Sequence, residues 1–466
     1  MVDVNDGGKK ESFIKGIIYL LISQVFIKII GFIYKFYLIN KPGFGDKGNA
    51  IYSSGFQIYA LLLAFSSTGV PNAISKLVSE RLAIGDSKGA HKIFKISLIT
   101  FALFGIIGSV LLFVGAKKIA ESWIQIPEAE SSLISLAPSI FFVSILAVFR
   151  GYFNGRQNFI VTAKSQTLEQ IFKTFFTVIF VEVIISLKRN EVYIMAGAAN
   201  FASTVASIMC FIYIYLNYKI KAKEINQEIR QTVNYKPIRL KKYIKTILSD
   251  SIPISLGSLI ASFNKNIDSF TVVRFLKKNI NEEDAKIQFG ILSGKIDVLC
   301  SAVTALNVAL VTAFVPSIVK SFVKKDLKRV YKKILIFITI TLMIGIPFSI
   351  IMICFPEKVL NLLFPNASSG AVYLRYSSIS IIFMLLLQTV NSILQALGKV
   401  NIPPISLSIG LMIKIICNIC LIPNPKYGII GAIIGNISYN IVSFFISFSI
   451  LIKILYSIRI SKEKLV

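Results

Sequence analysis

The stretch Ile96–Gly115, ISLITFALFGIIGSVLLFVG, runs for twenty residues without one charged side chain. A helix rises about 1.5 Å per residue, so this run reaches about 30 Å, the depth of a bilayer's hydrocarbon core. Working outward, comparable runs fall at 13–39, 50–71, 131–149, 165–187, 194–217, 246–274, 288–315, 334–354, 370–393, 402–423 and 428–455. The 466-residue length alone would suit two or three soluble domains, but 55% hydrophobic residues and a mean hydropathy of +0.71 override that. The expectation is an all-α polytopic membrane protein. It has about twelve transmembrane helices in two six-helix bundles around a central cavity. The polar start, Met1 to Ser12, leads directly into the first run, and no small-residue cleavage site follows, so no cleaved signal is expected.

The longest break between runs, Tyr218 to Lys245, is strongly charged. It divides an N-terminal bundle (1–217) from a C-terminal one (246–466), with 218–245 as a basic cytoplasmic linker. An even number of spans places both termini on one side. If that side is the cytoplasm, the inner loops hold about 32 Lys and Arg and the outer loops about 12, as the positive-inside rule expects. The net charge of +28 is therefore read as topology and contact with anionic phospholipids, not nucleic-acid binding. The densest clusters are Lys219 to Lys245 and Lys320 to Lys333.

The two halves echo each other. Val70-Pro71-Asn72-Ala73-Ile74-Ser75-Lys76-Leu77-Val78 follows the second run, and Val315-Pro316-Ser317-Ile318-Val319-Lys320-Ser321-Phe322-Val323 follows the eighth. Asp86, Lys88 and Lys92 match Asp326, Lys328 and Lys332. Gly155-Arg156-Gln157-Asn158 resembles Gly398-Lys399-Val400-Asn401. Repeats of six spans each share an orientation, which implies an axis along the membrane normal.

Ionisable residues inside the runs carry the functional signal, because a basic group near a helix centre costs about 2.5–3.5 kcal/mol to insert. Gln24, Lys28, Gly31 and Lys35 form one helical stripe at i, i+4, i+7 and i+11. Gln166, Glu169, Gln170 and Lys173 share a face in the fifth run, and Asn264, Lys265 and Asp268 occupy the seventh. Lys295 and Asp297 open the eighth, and Lys414 lies one turn before Asn418 in the eleventh. Lys265 is spaced to pair with Asp268, and Lys173 with Glu169. Lys28, Lys35 and Lys414 have no acid in their own helices. The sum is a cavity with surplus positive charge, suited to an anionic substrate such as a phosphate or pyrophosphate.

Enzyme chemistry has little footing. His91 is the single histidine, and no Ser/His/Asp arrangement, P-loop or metal-ligand cluster is present, so no catalytic residue, metal or cofactor is expected. Cys417-x-x-Cys420 lies inside an apolar run, where packing is the simpler reading.

At this point the residues resemble the MurJ/YtgP/SpoVB branch of the MOP flippase superfamily. Lys28-Ile29-Ile30-Gly31-Phe32-Ile33-Tyr34-Lys35 is similar to that branch's K-x-x-G-x-x-Y-[RK] pattern. Ser67 to Glu80 is similar to its (S/T)-x-G-(I/V)-P-x-A-I-S-K-L-V-x-E. Arg150-Gly151-Tyr152-Phe153-Asn154-Gly155, followed by Ser165-Gln166-x-x-Glu169-Gln170, resembles R-G-Y-F-x-G … S-Q-x-x-E-Q. Leu394-Gln395-Ala396-Leu397-Gly398 and Lys414-x-x-x-Asn418 resemble second-half signatures. The resemblance implies a flippase that moves an undecaprenyl-pyrophosphate-linked saccharide, lipid II foremost, to the outer leaflet of a bacterial plasma membrane by alternating access. Lys28 and Lys35 match the first-helix cations thought to engage the pyrophosphate. The expected binding set is Lys28, Lys35, Lys173, Lys295, Lys414, Gln24, Gln166, Glu169, Asn264, Asp268 and Asn418. Arg150, Gly155, Pro71 and Pro316 are expected at gating or loop positions. A monomer is expected.

Many members have fourteen spans, and Gly45 to Tyr52 departs from the usual acidic, glycine-rich outer loop. A carrier of a capsular, teichoic or O-unit oligosaccharide, or a sporulation-specific role, therefore stays open. So do a MATE-type exporter of organic cations, for which Asp268 would be the key acid, and a non-transporting scaffold for wall synthesis.

Overall fold

The computed structural model describes residues 6–64, 69–189, 191–232, 235, 240–323 and 326–463, and every regular element among them is a helix. The first half holds α1 (Asp6–Asn40), α2 (Gly45–Ala64), α3 (Val70–Ala83), α4 (Ser87–Lys118), α5 (Ala129–Gly155), α6 (Phe159–Ser186) and α7 (Val192–Arg230). Next come α8 (Leu240–Leu276), α9 (Glu282–Gly290), α10 (Asp297–Val323), α11 (Leu327–Cys354) and α12 (Pro356–Leu363). The chain ends with α13 (Ala371–Ser377), α14 (Ile379–Ala396), α15 (Ile402–Leu421) and α16 (Ile429–Glu463). A π-helical turn, Ile291–Ile296, joins α9 to α10.

Nine of these helical stretches are long and apolar enough to cross a membrane. Three more, α2, α6 and α8, have the length (20, 28 and 37 residues) but carry ionisable residues. With them, twelve helical stretches among the described residues have the length to span, in keeping with the expected number of about twelve. Of these three, α2 holds Asp46, α6 holds Glu169 and Lys173, and α8 holds Asp268.

Several boundaries differ from the sequence reading. Within the run 50–71, α2 is described to Ala64, residues 65–68 (Ser67 and Thr68 among them) lie outside the described residues, and Pro71 is the second residue of α3. The run 370–393 is two helices with a break at Ser378. Much of the segment read as a linker is helical, since α7 continues to Arg230; of the rest, 233–234 and 236–239 lie outside the described residues. Pro316 falls within α10, but its side chain lies outside the described ones.

The chain forms two compact units, one from Met1–Tyr34 and Ser54–Ser262, the other from Lys35–Ser53 and Phe263–Val466. The tip of the α1–α2 hairpin thus groups with the second unit. Phe94, Phe149, Tyr152 and Tyr218 centre the first core, with Phe94 and Tyr152 ring centroids 4.5 Å apart. In the second, Phe314 stacks on Phe337 at 4.9 Å. Outside, α4 exposes Ile99, Leu103, Ile107, Leu111 and Val114, the face a helix presents to lipid.

Local geometry repeats between the halves. Asp86 caps α4 by accepting from the Gly89 amide (2.7 Å), and Asp326 caps α11 by accepting from the Arg329 amide (3.1 Å). Both α5 and α14 end in a left-handed residue, Gln157 (φ 60°) and Gly398 (φ 80°). Each ending carries the same pair of bonds: Gln157 to Asn154 O and Asn158 to Phe153 O, then Gly398 to Gln395 O and Lys399 to Leu394 O. The structural register therefore pairs Gln157, not Gly155, with Gly398. Gly155 has a different task. A Cβ there would lie 2.7 Å from Val78, and one at Gly151 would lie 2.8 Å from Pro71 O, so the two glycines form the seat on which α3 crosses α5.

Candidate substrate site

In the first unit, α1 and α6 lie side by side. Gln24 donates to Gln166 (2.8 Å), Gly31 faces the Gln170 amide, and Tyr34 lies beside Lys173. The contacting positions rise together along both helices, so the two run parallel, as first and fifth spans of an alternating path must. Gly31 adds no side chain, which leaves a notch next to Gln170. Lys28 belongs to the same stripe of α1 and is exposed.

Lys173 is the unusual group here. Its side chain is 8% exposed, and its ammonium sits 3.8 Å above the Phe56 ring and 5.3 Å from that of Tyr34. The expected partner, Glu169, is instead held by Arg150, whose Nη2 donates at 2.6 Å. A planar guanidinium with a fork of donors satisfies Glu169 and Ser165 together (Nε to Ser165 Oγ 2.9 Å), and Lys173 is left to the rings. Two ring faces return about 0.5–2 kcal/mol, less than the roughly 2.5–3.5 kcal/mol cost of inserting a basic group at mid-helix. The ammonium is thus buried but incompletely compensated.

Three cations of the second unit, Lys35, Lys295 and Lys414, are engaged. Lys35 donates to Asn49 Oδ1 (3.1 Å) and Ser53 Oγ (3.3 Å) and lies 4.3 Å over the Tyr52 ring. Lys295, fully buried in the π-turn, donates to Asp46 (3.0 Å), Ala367 O (2.7 Å), Ser369 O (2.8 Å) and Ser369 Oγ (3.0 Å). Close packing makes this possible: Cβ atoms at Gly290 and Gly294 would overlap Asp46 O and Asn49. Lys414 pairs with Asp268 across helices (2.7 Å), donates to Asn264 O and reaches Asn436 Oδ1 (2.8 Å). Asn418 donates to Asp268 Oδ1 (3.2 Å) and Thr271 Oγ1 (2.8 Å).

The sequence pairing of Lys265 with Asp268 is therefore replaced: Lys265 is exposed, and Asp268 is taken by Lys414 from α15. The surplus of positive charge shrinks in the same way, because Lys295 and Lys414 each meet a carboxylate. Asp46 and Asn436 were missed as partners, although a lone acid or amide beside an apolar run was the available signal. Phe56 was missed because nothing in sequence tells a ring that packs from one that faces a cation.

The polysaccharide biosynthesis protein family model matches residues 13–322. The chain belongs to that family. A second family model, MatE, matches 299–420, so the two together place the protein in the MOP superfamily. Among the family's relatives, stage V sporulation protein B of Bacillus subtilis is 24% identical over 91% of this chain and 80% of its own. The lipid II flippase MurJ of Bacillus subtilis is 23% identical over 88% of this chain and 78% of its own. A multidrug resistance MATE family transporter of the MOP superfamily, solved in an inward-facing conformation, superimposes with a TM-score of 0.71. That match covers 94% of this chain and 99% of the other at 16% identity. The likeness shows a MATE-like fold for a multi-pass membrane protein of a transporter and flippase family.

Proposed function

We propose that the protein is a flippase that carries an undecaprenyl-pyrophosphate-linked saccharide, lipid II foremost, from the inner to the outer leaflet of a bacterial plasma membrane by alternating access. The charge balance carries this reading. The acids Asp46, Glu169 and Asp268 are each matched by a basic group, whereas among the described residues Lys173 meets the rings of Phe56 and Tyr34. A site with an uncompensated cation suits an anionic headgroup and disfavours an organic cation. The polar face shared by Gln24, Gln166 and Gln170 adds amides able to bond sugar hydroxyls or phosphate oxygens. Outward movement of an anion gains about 2.3 kcal/mol per charge per 100 mV from an inside-negative potential.

Both termini face the cytoplasm in this reading, with Lys219, Lys221, Lys223 and Arg230 at the end of α7 against anionic phospholipids, and the protein acts as a monomer. The MatE match and the MATE-like fold favour one second reading, an exporter of organic cations. Its key acid, Asp268, is occupied by Lys414.

Native mass spectrometry of the purified protein in nanodiscs with lipid II, undecaprenyl phosphate and an organic-cation drug separates the two. Selective retention of lipid II is expected. Retention of the drug alone would overturn the flippase reading and move the site to Asp268. A capsular or teichoic repeat-unit carrier would retain undecaprenyl-linked ligands other than lipid II.

A further inference from the structure

Residue counts from the matched helix ends expose a symmetry that the charges then break. Lys173 lies sixteen residues after the left-handed Gln157, and Lys414 sixteen after Gly398. Ser165 and Ser406 each come eight residues after the same points, and each contacts the helix that follows. Ser165 Oγ lies 3.3 Å from Cys210 Sγ of α7, and Ser406 Oγ accepts from Ser447 of α16 at 2.8 Å. Lys173 and Lys414 are therefore the same position in two repeats. One is closed by a carboxylate, Asp268, and two asparagines. The other is closed by two hydrocarbon faces, Phe56 and Tyr34.

We propose that Phe56, Tyr34 and Lys173 form a two-state anion receptor, resting on the flippase reading above. In the empty protein the ammonium is stored on the rings. When a phosphate or pyrophosphate oxygen arrives, the ammonium leaves the rings and bonds it, because a charge-assisted hydrogen bond to an anion is stronger than contact with a ring quadrupole. The Gln170 amide, beside the notch at Gly31, supplies a second donor. Lys414 cannot make this exchange, since its carboxylate partner moves with it as part of the fold. Duplication has thus left one copy structural and one copy for ligand. A ring stabilises only the empty state, so its removal shifts the population toward the bound state.

The test uses full-length protein in nanodiscs, carrying Trp123→Phe and Phe56→Trp so that the single indole reports on the ammonium. The probes are undecaprenyl pyrophosphate and inorganic pyrophosphate. Undecaprenyl pyrophosphate is expected to change the indole emission saturably, and inorganic pyrophosphate to compete if the headgroup alone is read. Lys173→Met should weaken binding at least tenfold, Lys173→Arg should restore much of it, and Lys164→Met, an exposed lysine on the same helix, should bind as the parent does. Phe56→Leu, tested by lipid retention, should bind several-fold more tightly. Unchanged binding by folded Lys173→Met, or weaker binding by Phe56→Leu, overturns the receptor while the flippase reading stands. A silent indole in a parent that retains the lipid overturns it too. Failure of the wild-type protein to retain any undecaprenyl-linked lipid overturns both.

Discussion

The Lys295 ammonium lies 2.9 Å from the Asp46 carboxylate, across 249 residues of chain, with none of the lysine side chain exposed. It is a staple between the start of α2 and the π-turn before α10. Removing one member of such a pair strands a buried charge, so Asp46→Leu should cost about 3–5 kcal/mol. Asp46→Leu with Lys295→Met should recover much of that, read as thermal unfolding in detergent. A double variant as unstable as the sum of the singles would show that the pair is not coupled.

The two capping aspartates do the same job in different surroundings. Asp86 is fully buried and also accepts from Arg81 (2.9 Å), whereas the Asp326 side chain is 35% exposed. Loss of a cap costs about 0.5–2 kcal/mol. Asp86→Ala should fall at or above the top of that range and Asp326→Ala near the bottom. Equal shifts in unfolding temperature would contradict the burial difference.

Gln157 adopts the left-handed conformation that Gly398 adopts in the other repeat. Residues with a Cβ cost about 1–2 kcal/mol there. Gln157→Gly should raise stability by up to about 1 kcal/mol, and Gly398→Gln should lower it by a similar amount. Chemical denaturation of both variants checks the sign.

Glycines in helices should respond oppositely according to what surrounds them. At Gly155 an added Cβ meets Val78 and Ser75 O at 2.7 and 2.9 Å, while at Gly257 nothing lies within 4 Å. Gly155→Leu should lose about 1–3 kcal/mol by overpacking the seat of α3. Gly257→Ala should gain about 0.5–1 kcal/mol from helix propensity. Limited proteolysis should show earlier cleavage near α3 in the first variant and no change in the second.

The sequence by itself determined the class of fold, because apolar runs such as Ile96–Gly115 have the length that a bilayer demands wherever they pack. It also determined the repeat, whose capping aspartates are local features read within a few residues. The stripe Gln24, Lys28, Gly31 and Lys35 was legible too, since helical spacing is fixed by the backbone. Charge partners were decided by the tertiary structure alone. Arg150 took Glu169, Lys414 took Asp268, and Asp46 closed Lys295, over separations of 19, 146 and 249 residues. An ion pair depends on which helices become neighbours, and helix periodicity carries no record of that. Whether a buried lysine meets a carboxylate or a ring face is settled only when the helices pack, and that contact separates Lys173 from its repeat counterpart Lys414.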